Sequence, residues 1–191
     1  MKKLCILCCA LLLLACGNKQ KEGADADGTR NENECSADSI SHSNLEKDMV
    51  DEIVRVRVTN IYDKIFGWYL THADSVGIVS FNTDEYLSED YMKLYRKVME
   101  QDSELKGEIG FFDGDHWIQG QDWGSDLNMQ IEHIEIVDSN HARCKVRIHN
   151  GGSDTPLILS IVRQKENWYI DDFIDQTRDY SEKEQMQKYL N

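Results

Sequence analysis

The clearest pattern along the chain is an alternation of apolar and polar side chains in its C-terminal half. From residue 142 to 149 the apolar positions are Ala142, Cys144, Val146 and Ile148, and the polar positions are Arg143, Lys145, Arg147 and His149. A period of two predicts a strand with one buried face. Similar runs separated by short polar turns extend from residue 129 to 174, which we predict to form four consecutive antiparallel strands.

The first predicted strand changes phase between Ile131 and Ile134, and one extra residue near 132–133 would repair the shift, as a β-bulge does. With a loop at residues 138–140, the predicted partners across the hairpin are Ile136 with Ala142, Ile134 with Cys144, Ile131 with Ile148, Glu135 with Arg143, and Glu132 with Arg147. The basic stripe of the second strand is therefore interpreted as a solvated face paired with acids.

The remaining two strands differ from the hairpin in pattern. Residues 157–162 form a nearly continuous apolar run, which is typical of a central strand covered on both faces. In the last strand Phe173 is out of phase with Trp168 and Ile170, so we expect a second irregularity at Asp171 and Asp172.

Before the sheet, the apolar spacing changes to three and four. The periodic positions are Met49, Val50, Ile53, Val54, Val58, Ile61, Tyr62, Ile65, Phe66 and Tyr69, and they predict an amphipathic helix of about six turns in a domain that begins near Leu45. A second helix is expected after Ser88 as N-cap, with Tyr91, Leu94, Tyr95, Val98 and Met99 facing inward. A last helix is expected at Ser181, with Glu184 completing a capping box and Met186, Tyr189 and Leu190 facing inward.

These elements predict an α+β fold with N-terminal helices packed on a curved antiparallel sheet of about four strands and a short C-terminal helix. Residues 45–191 are expected to form one domain, because 191 residues suffice for a single sizeable core.

The N-terminus has a different composition from the rest. Lys2 and Lys3 precede an apolar run at residues 4–14, and Ala15 and Cys16 follow. This pattern predicts a secretory signal at residues 1–15, too short to span a bilayer as a helix. Residues 13–16, Leu-Leu-Ala-Cys, resemble the lipobox of bacterial lipoproteins, although a plain signal that contains cysteine is the alternative.

The lipobox resemblance implies cleavage before Cys16 and attachment of a diacylglycerol and an acyl chain to that cysteine. Several acyl chains anchor a protein stably to a membrane where a single chain does not. We therefore expect a lipid-anchored protein of the cell envelope, in the outer membrane and facing the periplasm or the surface. Residues 16–44 have few large apolar side chains and are expected to act as a flexible acidic tether.

Charge and cysteine content narrow the range of partners. The formal net charge is −14 and becomes −16 once the two signal lysines are removed, which argues against nucleic acid and against an anionic membrane surface as direct partners.

Cys35 and Cys144 are the thiols left outside the signal and the lipidated position. We expect them to stay separate, since Cys144 falls on the buried face of its strand and Cys35 lies in the tether.

The order of helices followed by a curled meander resembles the nuclear transport factor 2-like (cystatin-like) cone. More narrowly, the chain resembles the lipoproteins grouped as domain of unknown function 3828 over roughly residues 48–175, on the motifs Arg57, Val58, Ile61 and Tyr62, then Tyr86, Leu87 and Ser88, then Gln121 and Asp122, and finally Trp168 to Asp172. The resemblance implies a bent sheet around the first helix, a pocket between them, and a homodimer through the open face of the sheet as one option. It implies no activity, and no position matches the catalytic pattern of cone enzymes such as ketosteroid isomerase or scytalone dehydratase.

Chemically active side chains are densest at residues 107–126. The predicted ligand-binding residues are Trp117, Gln121, Asp122, Trp123, Tyr169 and Asp172, which would give an aromatic-lined pocket with one or two buried acids. Asp113, Asp115, Asp122 and His116 could bind a hard cation, but their spacing fails the EF-hand template. A turn is the preferred interpretation of that segment, and we expect neither a metal nor a cofactor.

For acid–base chemistry the candidates are Asp122, Asp171 and Asp172, with Tyr62 and Tyr169 as donors. Burial would raise the pKa of such a carboxyl group enough for it to shuttle a proton. The preferred interpretation is structural, with Asp171 or Asp172 capping backbone amides at the irregularity or accepting from Gln121 or a tyrosine. The sequence thus predicts a lipid-anchored envelope module that binds a small molecule or an envelope protein. The alternative is a small cone-fold enzyme of proton transfer or hydration, and a third possibility is a purely structural envelope protein with a filled cone.

Overall fold

The computed structural model describes residues 37–72, 82–105 and 110–191, with side chains described from residue 45 onward. The elements in chain order are α1 (Ala37–Thr71), a 3₁₀ turn (Asp84–Tyr86), α2 (Glu89–Asp102), β1 (Asn128–Ile136), β2 (His141–Asn150), β3 (Ser153–Gln164), β4 (Asn167–Asp175), β5 (Tyr180–Ser181) and α3 (Glu182–Tyr189). The predicted signal, Cys16 and Cys35 lie outside the described residues.

The fold is α+β, as predicted. The strands form one antiparallel meander in the order β1-β2-β3-β4-β5, and α1 packs against β1. β3 is the central strand, as expected, and the sheet has a short fifth strand that the sequence did not indicate. β5 leads directly into α3 and so fixes the start of that helix at the edge of the sheet.

The predicted register of the β1–β2 hairpin is confirmed from Ile134 to the turn. Ile136 pairs with Ala142, Ile134 with Cys144 and Glu135 with Arg143, and the register shifts between Ile131 and His133, where the bulge was expected. The Arg147 guanidinium also binds the Glu132 carboxylate, with Nε to Oε1 at 2.8 Å. The pairing beyond the bulge was wrong, since Ile131 lies opposite Val146. The extra residue belongs to β1. Each β1 residue before it therefore pairs one position nearer to the start of β2 than it would in an uninterrupted ladder, so that Ile131 meets Val146.

The second expected irregularity is also confirmed. Ile170 pairs with Ile161 while Asp172 pairs with Ser160, so Asp171 is the extra residue of β4. The bulge places Phe173 opposite Leu159, and both side chains are buried. This local insertion therefore allows β4 to keep an apolar face despite two consecutive aspartates.

Helix α1 begins at Ala37, before the predicted start of the domain, and continues through Gly67 to Thr71. Its fully buried positions begin at Val54, whereas Met49 and Ile53 are 58% and 51% exposed. The prediction that Met49 and Ile53 face the core was wrong. A helical period identifies an apolar stripe but not how much of that stripe has a neighbour.

The two later helices begin at the predicted caps. Ser88 Oγ accepts from Tyr91 N at 3.0 Å, and Ser181 Oγ accepts from Glu184 N at 3.2 Å. In α2 the inward face includes Met92 in place of the predicted Met99, which is 45% exposed. Among the helices in the described residues, none has the length and apolar character needed to cross a bilayer.

Cys144 is fully buried on β2 with a free thiol, as its phase predicted. Burial raises the pKa of this thiol to about 12. A thiol that stays protonated at neutral pH is a weak nucleophile, so Cys144 is a core side chain.

The turn between β2 and β3 is tied to the segment before β1. Gly151 and Gly152 have φ angles of +57° and +76°, and their amides donate to Asp126 Oδ1 and Oδ2 at 3.0 and 2.7 Å. His149 lies between two carboxylates, with Nε2 at 3.1 Å from Asp126 and Nδ1 at 2.7 Å from Asp154. These contacts hold residues 124–126 against the sheet and so position the start of β1.

Candidate functional site

Ring side chains occupy the space between α1, α2 and β4. His116 stacks on Phe173 with ring centroids 4.4 Å apart, and Trp117 contacts Phe173 at 5.1 Å and Tyr62 at 5.7 Å. Tyr91 also packs edge-on against Phe173, with ring centroids 5.9 Å apart. The region that the family resemblance predicts as a pocket therefore contains an aromatic core.

A polar cluster is embedded in this core. Glu182, the first residue of α3, accepts a short hydrogen bond from the Tyr91 hydroxyl, and its Oε1 lies 3.2 Å from His116 Nδ1. The Tyr91 hydroxyl is itself 3.3 Å from that nitrogen. Tyr91 belongs to α2 and His116 to the loop before β1, so one carboxylate joins three separate parts of the chain.

The protonation states of the cluster follow from burial and from Glu182. Burial and the neighbouring Glu182 carboxylate raise the pKa of Tyr91 far above its usual value, so the phenol remains a donor. Burial opposes protonation of His116, but the charge and hydrogen bond of Glu182 raise the pKa of His116 above 6.5. The arrangement favours a protonated histidine beside the Glu182 side chain at pH 6.5 and below.

Two buried polar side-chain atoms of the described residues have no hydrogen-bond partner, the Tyr62 hydroxyl and His116 Nε2. Tyr62 is 1% exposed. Burial, with smaller contributions from Cys144, Asp115 and Glu182, raises the pKa of Tyr62 well above its usual value. Tyr62 therefore keeps its phenolic proton at neutral pH, and a neutral phenol can both donate and accept a hydrogen bond.

Four of the six predicted ligand-binding residues lie in the loop before β1 and differ in how deeply their side chains are buried. Trp117 is buried in the aromatic core, whereas Trp123 is half-buried against the Tyr69 ring at 4.9 Å. Gln121 and Asp122 are exposed. The Gln121 amide donates to the Asp113 carbonyl at 2.9 Å, so this residue stabilises the loop it belongs to.

The other two predicted residues, Tyr169 and Asp172, lie on β4. The Arg57 guanidinium lies over the Tyr169 ring at 6.0 Å. Asp172 is buried, and its two oxygens accept from Ser181 Oγ at 2.6 Å and from Lys183 N at 3.0 Å. Burial raises the pKa of Asp172, although these hydrogen bonds oppose that shift. Asp172 therefore caps α3, whereas the structural interpretation had placed the capped amides at the irregularity of β4.

Of the four residues considered as cation ligands, three have hydrogen-bond or ion-pair partners and Asp122 is exposed. Asp115 accepts from Trp117 N at 2.7 Å and from the Tyr69 hydroxyl, and His116 binds Glu182. Asp122 is exposed, and Asp113 accepts from Gln121 at 3.1 Å. In the part of the chain that the structure describes, no three His, Cys, Asp or Glu side chains are grouped so as to hold a metal ion.

A groove lies between α1 and β1, and none of the six predicted ligand-binding residues lines it. Its volume is about 660 Å³. The apolar walls are Tyr62, Phe66 and Leu70 of α1 together with Leu127, Met129 and Ile131, and the polar rim is Arg55, Thr59, Asp63, Asn128 and Gln130. We call this the α1–β1 groove. Gly67 also lines the α1–β1 groove. A second hollow of about 610 Å³ lies between the end of α1 and residues 82–86, and Gly67 lines that hollow as well.

Comparison of the chain with protein-family models, curated proteins and solved structures gave no match. In the described residues the α1–β1 groove is open to a ligand, whereas the polar cluster of Tyr91, His116 and Glu182 lies within the aromatic core.

Replacing Tyr62 with phenylalanine should leave the free energy of unfolding unchanged or raise it by up to about 1 kcal/mol, because the deleted hydroxyl has no partner in the described residues. Urea denaturation would measure the change. The matched variant Tyr91→Phe removes a hydroxyl bonded to Glu182 and should cost about 1–2 kcal/mol. A loss in Tyr62→Phe as large as that in Tyr91→Phe would show that the Tyr62 hydroxyl has a bonding partner.

Proposed function

We propose that this chain is a lipid-anchored binding module of the cell envelope and that its ligand occupies the α1–β1 groove. The observation that carries the proposal is the groove itself, which combines apolar walls with a sparse polar rim in about 660 Å³. Ligand sites in proteins typically have this size and this distribution of polar groups. The buried aromatic core forms the inner wall through Tyr62 and Phe66.

The anchor and the location are supported by the N-terminal sequence. Residues 13–16 provide the lipobox-like segment, with Cys16 as the lipidated residue, and the acidic tether after it would hold the domain away from the bilayer. The ligand is a small molecule or a segment of an envelope protein. The element order, with α1 against a five-stranded meander, is consistent with a nuclear transport factor 2-like cone.

Binding is favoured over acid–base catalysis by the position of the predicted acids. Both oxygens of Asp172 accept hydrogen bonds from the start of α3, and Asp122 is exposed. Neither side chain lines the α1–β1 groove. A catalytic acid has to reach the reacting atoms of a bound substrate, so these two residues are poorly placed for that role.

Native mass spectrometry of the full chain in detergent, incubated with an extract of its own cells, tests the proposal. We expect an adduct that disappears in Gly67→Leu, because the added side chain enters the groove. Asn60→Leu places the same side chain on an exposed position of α1 outside the groove, and Thr71→Leu places it in the neighbouring hollow. Both controls should keep the adduct. No adduct, or one that Gly67→Leu retains, would contradict the proposal.

The blocking substitution should not unfold the protein. A Cβ added at Gly67 meets nothing within 4 Å, and the residue lies inside α1. Gly67→Ala should therefore raise the free energy of unfolding by about 0.5–1 kcal/mol through improved helix propensity. Urea denaturation would measure this gain, and a destabilised alanine variant would contradict the open environment of Gly67.

A further inference from the structure

We infer that the occupant of the α1–β1 groove is an extended peptide segment that adds a strand to the free edge of β1. This inference rests on the proposed binding function and specifies the chemical class of its ligand. Strand addition recognises a partner through main-chain hydrogen bonds and selects it through pockets for alternate side chains.

The first support is the position of β1 at the end of the sheet. β1 pairs with β2 along one edge, and in the described residues no strand pairs with its other edge. Among the described residues, the backbone hydrogen bonds outside the ladders do not involve residues 128–136 either. An edge of unpaired amide and carbonyl groups is a template for another extended chain.

The second support is the set of β1 residues that line the groove. Met129 and Ile131 belong to the half-buried face, whereas Asn128 and Gln130 are exposed on the opposite face. Consecutive residues of a strand point to opposite sides. A hollow that contacts both sets therefore opens onto the edge of β1 and not only onto one face.

The groove also has the length and walls that a short strand needs. Residues 127–131 span about 17 Å and end at the bulge of Glu132, beyond which regular pairing would be interrupted. On the helix side Tyr62, Phe66 and Leu70 are spaced by four and form one stripe along α1. An occupant of about five residues would therefore pack alternate side chains between this stripe and Met129 and Ile131.

Charge adds a preference for basic residues. Asp63 lines the groove, is exposed and has no ion-pair partner among the described residues, whereas Arg55 on the same rim pairs with Asp51 at 3.3 Å. The chain as a whole has a formal net charge of −14. A cationic peptide is favoured both by the local carboxylate and by the overall field. We thus expect alternating apolar residues with a lysine or arginine placed against Asp63.

Selection from a random dodecapeptide display library, with the full chain in detergent micelles as bait, tests the inference without assuming a sequence. Enriched peptides should share the alternating apolar pattern and contain a basic residue. Their affinity should fall at least tenfold for Gly67→Leu and for Asp63→Lys, and it should be unchanged for Asn60→Leu. The inference would be overturned if no peptide were enriched, or if every enriched peptide bound Gly67→Leu as tightly as wild type.

Amide hydrogen exchange separates strand addition from other modes of binding. With a selected peptide at ten times its Kd, exchange of the outward amides in residues 128–131 should slow about tenfold, as expected from the occupied fraction. N-methylation of alternate peptide residues should abolish binding. Unchanged exchange in β1 would overturn strand addition. If native mass spectrometry shows a small-molecule adduct that Gly67→Leu loses, and no peptide is selected, the binding function stands but the ligand is not a peptide. Absence of both would overturn both proposals.

Discussion

Replacing Glu182 with alanine should lower the free energy of unfolding by about 3 kcal/mol, because it removes the acceptor shared by two buried donors. The Tyr91 hydroxyl and His116 Nδ1 would lose their carboxylate partner inside the aromatic core. Urea denaturation would measure the loss. The control Glu184→Ala removes an acid of the same helix that is 68% exposed and should change stability by no more than about 0.5 kcal/mol.

The same cluster should make stability depend on pH. The pKa of His116 in the folded protein is raised above 6.5, so the folded state binds the proton more tightly than the unfolded chain. The stabilisation is complete below about pH 6.5 and is lost as the pH rises through the raised pKa. The difference in stability between wild type and His116→Gln should therefore shrink as the pH rises above 6.5. A difference that is independent of pH, or that grows with pH, would contradict the protonated pair.

Replacing Asp172 with alanine should lower the free energy of unfolding by about 2 kcal/mol, because it removes the carboxylate that receives Ser181 Oγ and Lys183 N at the start of α3. Asp172→Asn keeps one acceptor oxygen and should lose less. Amide exchange should show faster opening of α3 in the alanine variant than in wild type. Unchanged exchange in α3 would show that Asp172 does not cap the helix.

Asp172→Asn also separates binding from catalysis. Asp172 does not line the α1–β1 groove, so the amide variant should keep the ligand adduct seen by native mass spectrometry at wild-type occupancy. The comparison needs conditions under which the variant is folded, which far-ultraviolet circular dichroism would verify. Loss of the adduct from a folded Asp172→Asn protein would favour a site that includes this carboxylate and would contradict the α1–β1 groove.

The local features of the fold were predictable because the residues that determine them are close together in the chain. Ser88 and Ser181 cap their helices through amides three residues away. The two bulges appear in the sequence as shifts in apolar phase, and the β1–β2 register follows from the short turn between the strands. The error at Ile131 concerned the direction of the shift, since an extra residue in β1 moves Ile131 to Val146 and not to Ile148.

The arrangements with chemical interest depend on contacts between distant residues. Tyr91 and Glu182 are 91 residues apart, and Tyr91 and His116 are 25 apart. No local pattern marks Glu182 as buried, because its position in the first turn of α3 is typical of an exposed acid. Only the packing of α3 against α2 removes this carboxylate from water and gives it two donors.

By itself, the sequence determined the α+β class, the meander, the two bulges and the helix caps, since each depends on periodicity or on hydrogen bonds between near neighbours. The tertiary structure decided that Met49 and Ile53 are exposed, that Asp172 caps α3 and that the aromatic residues fill the interior. It also decided the position of the groove. Tyr62 and Met129 are unrelated in sequence, and they line one hollow because α1 packs against β1, the strand at the end of the sheet.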